Sequence, residues 1–157
     1  MNNKVSLHQP IPPVSFLATS HLQGSLADYL GKNVVLYFYP KDNTPGCTHE
    51  SKEFRDYFDR FQKTGTVIFG ISCDTLESHE KFKQKHTLPF ELISDRDAKI
   101  CNTFGVMNPK VIFGKKLFGI VRSTFLIDKK GILLKEWRKV NTKGHAEEVY
   151  QAALALL

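Results

Sequence analysis

A cysteine with unusual neighbours lies between a predicted strand and a predicted helix. Cys47 is preceded by Pro45 and Gly46 and falls in the first turn of that helix. The unpaired N–H groups and positive dipole end of a helix favour the thiolate, which is the nucleophilic form of cysteine. Pro45 lacks the donor that a helix start leaves unsatisfied, and Gly46 lets the backbone come close to a bound oxygen. We therefore expect a reactive thiol at Cys47, the alternative being a small buried hydrophobic residue.

The residues beside Cys47 allow more than one role. Thr44 could direct its hydroxyl toward the same small volume as the sulfur, or it could cap the helix. His49 suggests a cysteine–histidine pair, but close neighbours along a helix do not face each other. A Cys-x-His fragment without a second pair of ligands is a weak indication of a metal site.

Hydrophobic patterning predicts the elements that position Cys47. Apolar runs over 34–39 and 67–72 predict two buried strands. Between them, aromatic residues at helical spacing predict one helix from about Cys47 to Lys63. Because loops at the carboxyl ends of strands commonly hold ligands in α/β proteins, Cys47 lies where a site is expected.

The rest of the chain continues this alternation. The further predicted elements are a polar helix over 74–85, a strand over 90–93, a short helix over 95–104, a hairpin over 124–137 and a closing helix over 144–157. Residues 107–119 are expected to form a long connection that frames the mouth of the site, presents a surface to a reductant, or simply packs. The pattern predicts one α/β domain over 1–157, with three layers and a mixed central sheet.

Composition limits the classes of protein. The chain has 157 residues, 41% hydrophobic and 24% charged, which suits one folded domain. Its longest apolar run is too short to cross a membrane, and its N-terminus lacks the apolar core of a signal peptide. Three cysteines, an odd number, suit a reducing compartment better than a disulfide framework. We expect a cytoplasmic protein with no membrane partner.

The net charge of +6 is unevenly placed. Residues 110–139 hold nine Lys or Arg against two acidic residues. Such a segment could attract nucleic acid, with an affinity that falls steeply with salt. No nucleic-acid-binding motif accompanies it, so solvated turns and no nucleic-acid partner are the expectation.

Four separated segments resemble one protein family. The pattern Pro40-x-x-x-Thr44-x-x-Cys47 is similar to the active-site motif of peroxiredoxins, and the fuller Thr44–Glu50 segment resembles the bacterioferritin-comigratory, or peroxiredoxin Q, branch. Residues 70–74, 122–128 and 144–149 resemble that branch in the same order. The resemblance implies a thioredoxin-like fold and a thiol-dependent peroxidase for hydrogen peroxide and organic hydroperoxides, without metal, haem or flavin.

The resemblance also implies roles for individual residues. Cys47 would attack the O–O bond and become a sulfenic acid, with Arg122 holding the thiolate and donating to the peroxide. Thr44 would donate to the other oxygen, Pro40 would shield the pocket, and Glu50 would orient Arg122. From the residues alone, Arg122 could instead be a surface charge, Pro40 could end a strand, and Glu50 could be a capping carboxylate.

The usual partner cysteines of the branch are missing. Many members carry a resolving cysteine five residues after the reactive one, where this chain has Lys52, and others carry it in the next helix, here at 82–84. We therefore expect one-cysteine behaviour, with thioredoxin, glutaredoxin or glutathione as reductant. The resemblance to the branch also implies a monomer. A Cys47–Cys73 disulfide is the alternative, and Cys101 is expected to be an inert core thiol. A thioredoxin-type oxidoreductase would need a Cys-x-x-Cys pair, which the sequence lacks.

Overall fold

A seven-stranded mixed sheet forms the middle layer of the molecule. The computed structural model describes residues 4–157, apart from the side chains of Lys110 and Ile112. The strands are β1 Ser15–Ala18, β2 Leu22–Ser25, β3 Asn33–Phe38, β4 Thr66–Ser72, β5 Glu91–Ser94, β6 Met107–Ile112, β7 Lys115–Ile120, β8 Ser123–Ile127 and β9 Leu133–Arg138. The helices are α1 Pro45–Asp56, α2 Phe58–Lys63, α3 Leu76–His86, α4 Lys99–Thr103 and α5 His145–Leu154, with a 3₁₀ turn at Leu26–Tyr29.

The order of the strands explains the mixed character of the sheet. Their spatial order is β2-β1-β5-β4-β3-β8-β9. The three central strands β5, β4 and β3 run parallel to one another, while β1 and β8 flank them in antiparallel pairing. Every residue of β3 is buried, as expected for a strand covered on both faces.

Two separate hydrophobic clusters cover the two faces of the sheet. Successive residues of β3 alternate between them, with Val35 and Tyr37 in one cluster and Leu36 and Phe38 in the other. Helices α1, α2, α3 and α5 supply side chains to the first cluster, which we call the Tyr37 face. Helix α4 and the 3₁₀ turn supply side chains to the second, which we call the Phe38 face. This is the predicted three-layer arrangement.

The single helix predicted over Cys47–Lys63 is wrong in one respect. Helix α1 ends at Asp56, and α2 begins at Phe58, with Tyr57 between them at φ −95° and ψ 0°. The aromatic side chains on both sides of the break still meet, because the ring centroids of Phe54 and Phe61 are 6.0 Å apart. Hydrophobic periodicity is thus satisfied across the break and does not reveal it.

The long connection predicted over 107–119 is instead an antiparallel hairpin. Strands β6 and β7 form a separate two-stranded sheet. Phe113 and Gly114 at its tip both have positive φ, as a type I′ hairpin turn requires. Pro109 and the many basic residues, which are unfavourable in strands, hid the hairpin in the sequence. The short strands β1 and β2 were likewise not predicted.

Within the described residues, no helix has the length and apolar character needed to cross a membrane.

Candidate active site

Cys47 lies in the first turn of α1, as predicted. Strand β3 ends at Phe38, a short loop follows, and α1 begins with Pro45, so that Cys47 is the third helical residue. The first helical hydrogen bond runs from the Thr48 amide to the Thr44 carbonyl at 2.9 Å. The Cys47 side chain is 0% exposed and packs in the Tyr37 face.

Arg122 reaches Cys47 from a distant part of the sequence. Strands β3 and β8 pair antiparallel with Phe38 opposite Ser123, which brings the residue before β8 beside the end of β3. Nη2 of Arg122 donates to Sγ of Cys47 at 3.4 Å. Its Nη1 donates to Oε1 of Glu50 at 2.9 Å. The structure therefore joins three of the residues to which the resemblance gave roles.

Gly46 makes room for this guanidinium. A Cβ placed on Gly46 would lie 3.0 Å from Nη2 of Arg122, closer than most Cβ contacts allow. The sequence suggested that Gly46 lets a bound oxygen approach the backbone. In the structure the space is taken up by Arg122 instead, and the missing side chain is what permits its hydrogen bond to Cys47.

Glu50 is a buried carboxyl with an incomplete set of partners. It is 1% exposed, and its Oε2 has no hydrogen-bond partner within the described part of the chain. The pKa of Glu50 is raised from 4.5 to about 7, and burial is the largest cause. The charge and hydrogen bond of Arg122 oppose this rise, and the charge of the nearby Glu53 adds to it. Burial lowers the pKa of Arg122, but Glu50 and Cys47 outweigh that effect and raise it above its ordinary value.

Unlike Arg122, the side chains of Thr44, Pro40 and His49 form no described hydrogen bond with the Cys47 sulfur. Thr44 is the N-cap residue of α1, but its hydroxyl donates to the Lys41 carbonyl at 2.8 Å and accepts no hydrogen bond from a helix amide. The suggested capping bond is therefore not formed. Pro40 is exposed and lies two residues after the end of β3. His49 is half exposed, and its Nε2 lies 3.6 Å from Oε2 of Glu53.

A buried polar cluster that sequence reasoning missed anchors the loop before Cys47. Asp42 is 4% exposed, and its carboxylate accepts hydrogen bonds from the hydroxyls of Tyr39 and Ser78, at 2.7 and 2.8 Å. It also lies 2.7 Å from Nδ1 of His79, whose Nε2 is 2.9 Å from the Ile93 carbonyl. Burial raises the pKa of Asp42, but the hydrogen bond from His79 and its charge outweigh this and lower it overall. The loop is thus tied to α3 and β5.

His145 is a second titratable group near Arg122. It is buried at the start of α5, and its Nε2 lies 2.7 Å from the Thr124 hydroxyl. Burial and the charge of Arg122 lower the pKa of His145 to about 4, so the imidazole is neutral at neutral pH. The positive charge facing Cys47 therefore comes from Arg122.

The other two cysteines lie away from Cys47. Cys101 is buried in the Phe38 face, and Cys73 packs against the same cluster, whereas Cys47 belongs to the Tyr37 face. Because the two side chains pack in clusters on opposite faces of the sheet, a Cys47–Cys73 disulfide would need local unwinding to bring their Cα atoms within about 7 Å. Lys52 is exposed, and Phe82 is fully buried.

The basic residues of segment 110–139 are divided among several places. Arg122 belongs to the site, and Arg138 donates to the carbonyls of Phe104 and Gly105. Lys135 lies over the ring of Trp137 at 5.2 Å. The Lys110 side chain lies outside the described residues.

The chain is similar in sequence and in fold to known proteins. Residues 7–135 match the AhpC/TSA family. The chain is 55% identical over 126 residues to peroxiredoxin Bcp of Bacillus subtilis, covering 80% of each protein. It superimposes on a cysteine-to-serine mutant of PrxQ from Xylella fastidiosa with TM-score 0.91 and 35% identity, covering 96% of each chain. For the bacterioferritin comigratory protein of Xanthomonas campestris, studied for alkyl peroxide reduction, the TM-score is 0.87 and the identity 39%, over 90% of each chain.

Proposed function

The chain belongs to the AhpC/TSA family of peroxiredoxins and is a thiol-dependent peroxidase, and from that premise we propose that Cys47 is the thiol that attacks the hydroperoxide. The hydrogen bond from Arg122 to Sγ of Cys47 is the observation that carries the proposal. A guanidinium beside a sulfur at a helix N-terminus stabilises the thiolate, which is the form that reacts. The proposed site comprises Cys47, Arg122 and Glu50, together with Thr44 and Pro40.

The reaction places negative charge first on sulfur and then on oxygen. The Cys47 thiolate attacks one peroxide oxygen, the O–O bond breaks, and the departing oxygen takes a proton to leave as water or an alcohol. Cys47 becomes a sulfenic acid. Arg122 can donate to the oxygens as the charge develops because Glu50 fixes the other edge of its guanidinium at 2.9 Å. The Thr44 hydroxyl, which donates to Lys41 in the structure, has to turn toward the substrate to take part.

A second thiol then returns Cys47 to its starting state. We propose that this thiol belongs to another molecule: thioredoxin, glutaredoxin or glutathione. It condenses with the sulfenic acid, releasing water and forming a mixed disulfide, which a further thiol reduces. The placement of Cys73 and Cys101 on the opposite face of the sheet supports this one-cysteine cycle. We further propose that the protein acts as a monomer.

Rapid mixing with hydrogen peroxide tests both parts of the proposal. Cys47→Ser should abolish fast peroxide consumption, while Cys73→Ser and Cys101→Ser should each leave turnover unchanged with dithiothreitol and with thioredoxin. After the native protein has reacted with one equivalent of peroxide, mass spectrometry should find a sulfenic acid at Cys47. A peptide that links Cys47 to either of the other cysteines would overturn the one-cysteine cycle, and fast consumption by Cys47→Ser would overturn the assignment of Cys47.

A further inference from the structure

Two thiols that the proposed peroxidase reaction does not use lie next to each other. Cys73 follows the end of β4, and Cys101 lies in α4. Their sulfurs and a carboxylate oxygen of Asp95 all lie within 4.8 Å of one another. Cysteines 28 positions apart in the sequence thus form a dithiol on the Phe38 face.

The sheet and one carboxylate hold this pair together. Parallel β4 and β5 are in register with Ser72 opposite Ser94, so the residues that follow both strands emerge side by side. The Asp95 amide donates to the Ser72 carbonyl at 2.9 Å. The Asp95 carboxylate accepts from the amides of Ile100 and Cys101, at 3.0 and 2.8 Å. Asp95 therefore fixes the start of α4 beside Cys73.

The two thiols differ in exposure and in ionisation. Cys73 is partly exposed, whereas Cys101 is 0% exposed. The hydrogen bond from the Cys101 thiol lowers the pKa of Cys73, although burial and the neighbouring carboxylates oppose it. The same hydrogen bond, burial and Asp95 raise the pKa of Cys101. Cys73 is thus the accessible nucleophile, and Cys101 is the protonated partner behind it.

We propose that Cys73 and Cys101 form a second redox centre, which a hydroperoxide oxidises to an intramolecular disulfide independently of Cys47. The Cys73 thiolate attacks the peroxide, becomes a sulfenic acid and releases water or an alcohol. The Cys101 sulfur then attacks the Cys73 sulfur, and a second water leaves as the S–S bond forms. Two thiols supply two electrons to one hydroperoxide, and their protons leave in the products. Side-chain rotation has to bring the sulfurs to about 2.05 Å.

The surroundings predict that this centre reacts more slowly than Cys47. The charged groups that act on Cys73 are the carboxylates of Asp95, Asp74 and Asp97, which oppose the lowering of its pKa by Cys101. Cys47 instead has the guanidinium of Arg122. The dithiol is therefore expected to remain reduced until the peroxide exceeds what Cys47 consumes.

The full chain carrying Cys47→Ser isolates the dithiol for the experiment. Two thiols remain in this variant, and excess hydrogen peroxide should remove both, with the protein losing the mass of two hydrogen atoms. Trypsin should release peptides 64–81 and 100–110 joined by a disulfide, and dithiothreitol should restore both thiols. Thiols that persist, or oxidation to sulfinic acid without linkage, would overturn the proposal. A bound zinc ion that a chelator does not remove and that protects both thiols from peroxide would also overturn the proposal, because the cluster would then be a metal site.

Double variants separate the roles of the two sulfurs. In Cys47→Ser/Cys101→Ser, dimedone should trap a sulfenic acid on Cys73. In Cys47→Ser/Cys73→Ser, the buried Cys101 should lose its thiol at least about tenfold more slowly than the Cys47→Ser protein loses its two. Equal rates would refute the assignment of Cys73 as nucleophile. If serine at position 101 prevents folding, Cys101→Ala replaces it. In the chain with Cys47 intact, Cys73→Ser should leave the oxidation rate of Cys47 unchanged, so this test is independent of the proposed function.

Discussion

Replacing Glu50 with glutamine is expected to change how the stability of the protein depends on pH. Burial is the main reason that the pKa of Glu50 rises from 4.5 to about 7. Between these values the folded protein keeps a proton that the unfolded chain has released, so the contribution of Glu50 to stability falls as pH rises. The total change is about 3 kcal/mol, and most of it falls between pH 5 and pH 8. The amide in Glu50→Gln does not titrate in this range, so the variant does not lose stability in this way as the pH rises.

Urea unfolding of the reduced proteins measures the effect. The free energy of unfolding of Glu50→Gln minus that of the native protein should increase from pH 5 to pH 8, with most of the increase below pH 7. Other groups titrate in both proteins, and their effects largely cancel in the difference. The matched control is Glu147→Gln, an exposed acidic residue of α5, for which the difference should stay flat.

A pH-independent difference for Glu50→Gln would refute this reasoning. It would mean that Glu50 is ionised throughout the range, and hence that the attraction of Arg122 outweighs the cost of burial. The site would then contain a permanent ion pair rather than a carboxyl that titrates near neutral pH.

Three further outcomes follow from the site. Gly46→Ala should lower the second-order rate constant for the reaction of Cys47 with hydrogen peroxide about tenfold, because the added Cβ would displace the Arg122 guanidinium. Stopped-flow mixing measures this rate constant. An unchanged unfolding temperature excludes a folding defect. Thr44→Val should slow the same reaction while Thr44→Ser preserves it, and equal rates for both would exclude a role for the hydroxyl. Because the pKa of His145 is lowered to about 4, stability should fall on acidification from pH 6.5 to 4, and urea titrations of His145→Gln should show a smaller loss.

Local chemistry made the position of Cys47 predictable. Pro45 and Gly46 at a helix start, after a buried strand, placed Cys47 in the first turn of α1, as the structure shows. The roles of Arg122 and Glu50 came only from the resemblance, because their contact depends on the pairing of β3 with β8 across more than 70 residues. No local pattern in a sequence specifies such a pairing.

Other features escaped prediction for physical reasons. Nothing local in the sequence marks Asp42, because it is the fold that buries its carboxylate against His79. The proximity of Cys73 and Cys101 depends on the register of β4 and β5, which a one-residue slip would change. Hydrophobic periodicity identified the central strands well because both of their faces are buried. It failed for the β6–β7 hairpin because many of its side chains are exposed.

Full enclosure of Cys47 makes the site selective by size. With 0% of its surface accessible, its sulfur can meet a molecule of a few atoms that diffuses in through small fluctuations, but not a thiol carried on the surface of another protein. The first turn of α1 must therefore open before a macromolecular reductant can reach the oxidised sulfur. The frequency of that opening sets an upper limit on the rate of such a reduction, whatever the concentration of the reducing protein.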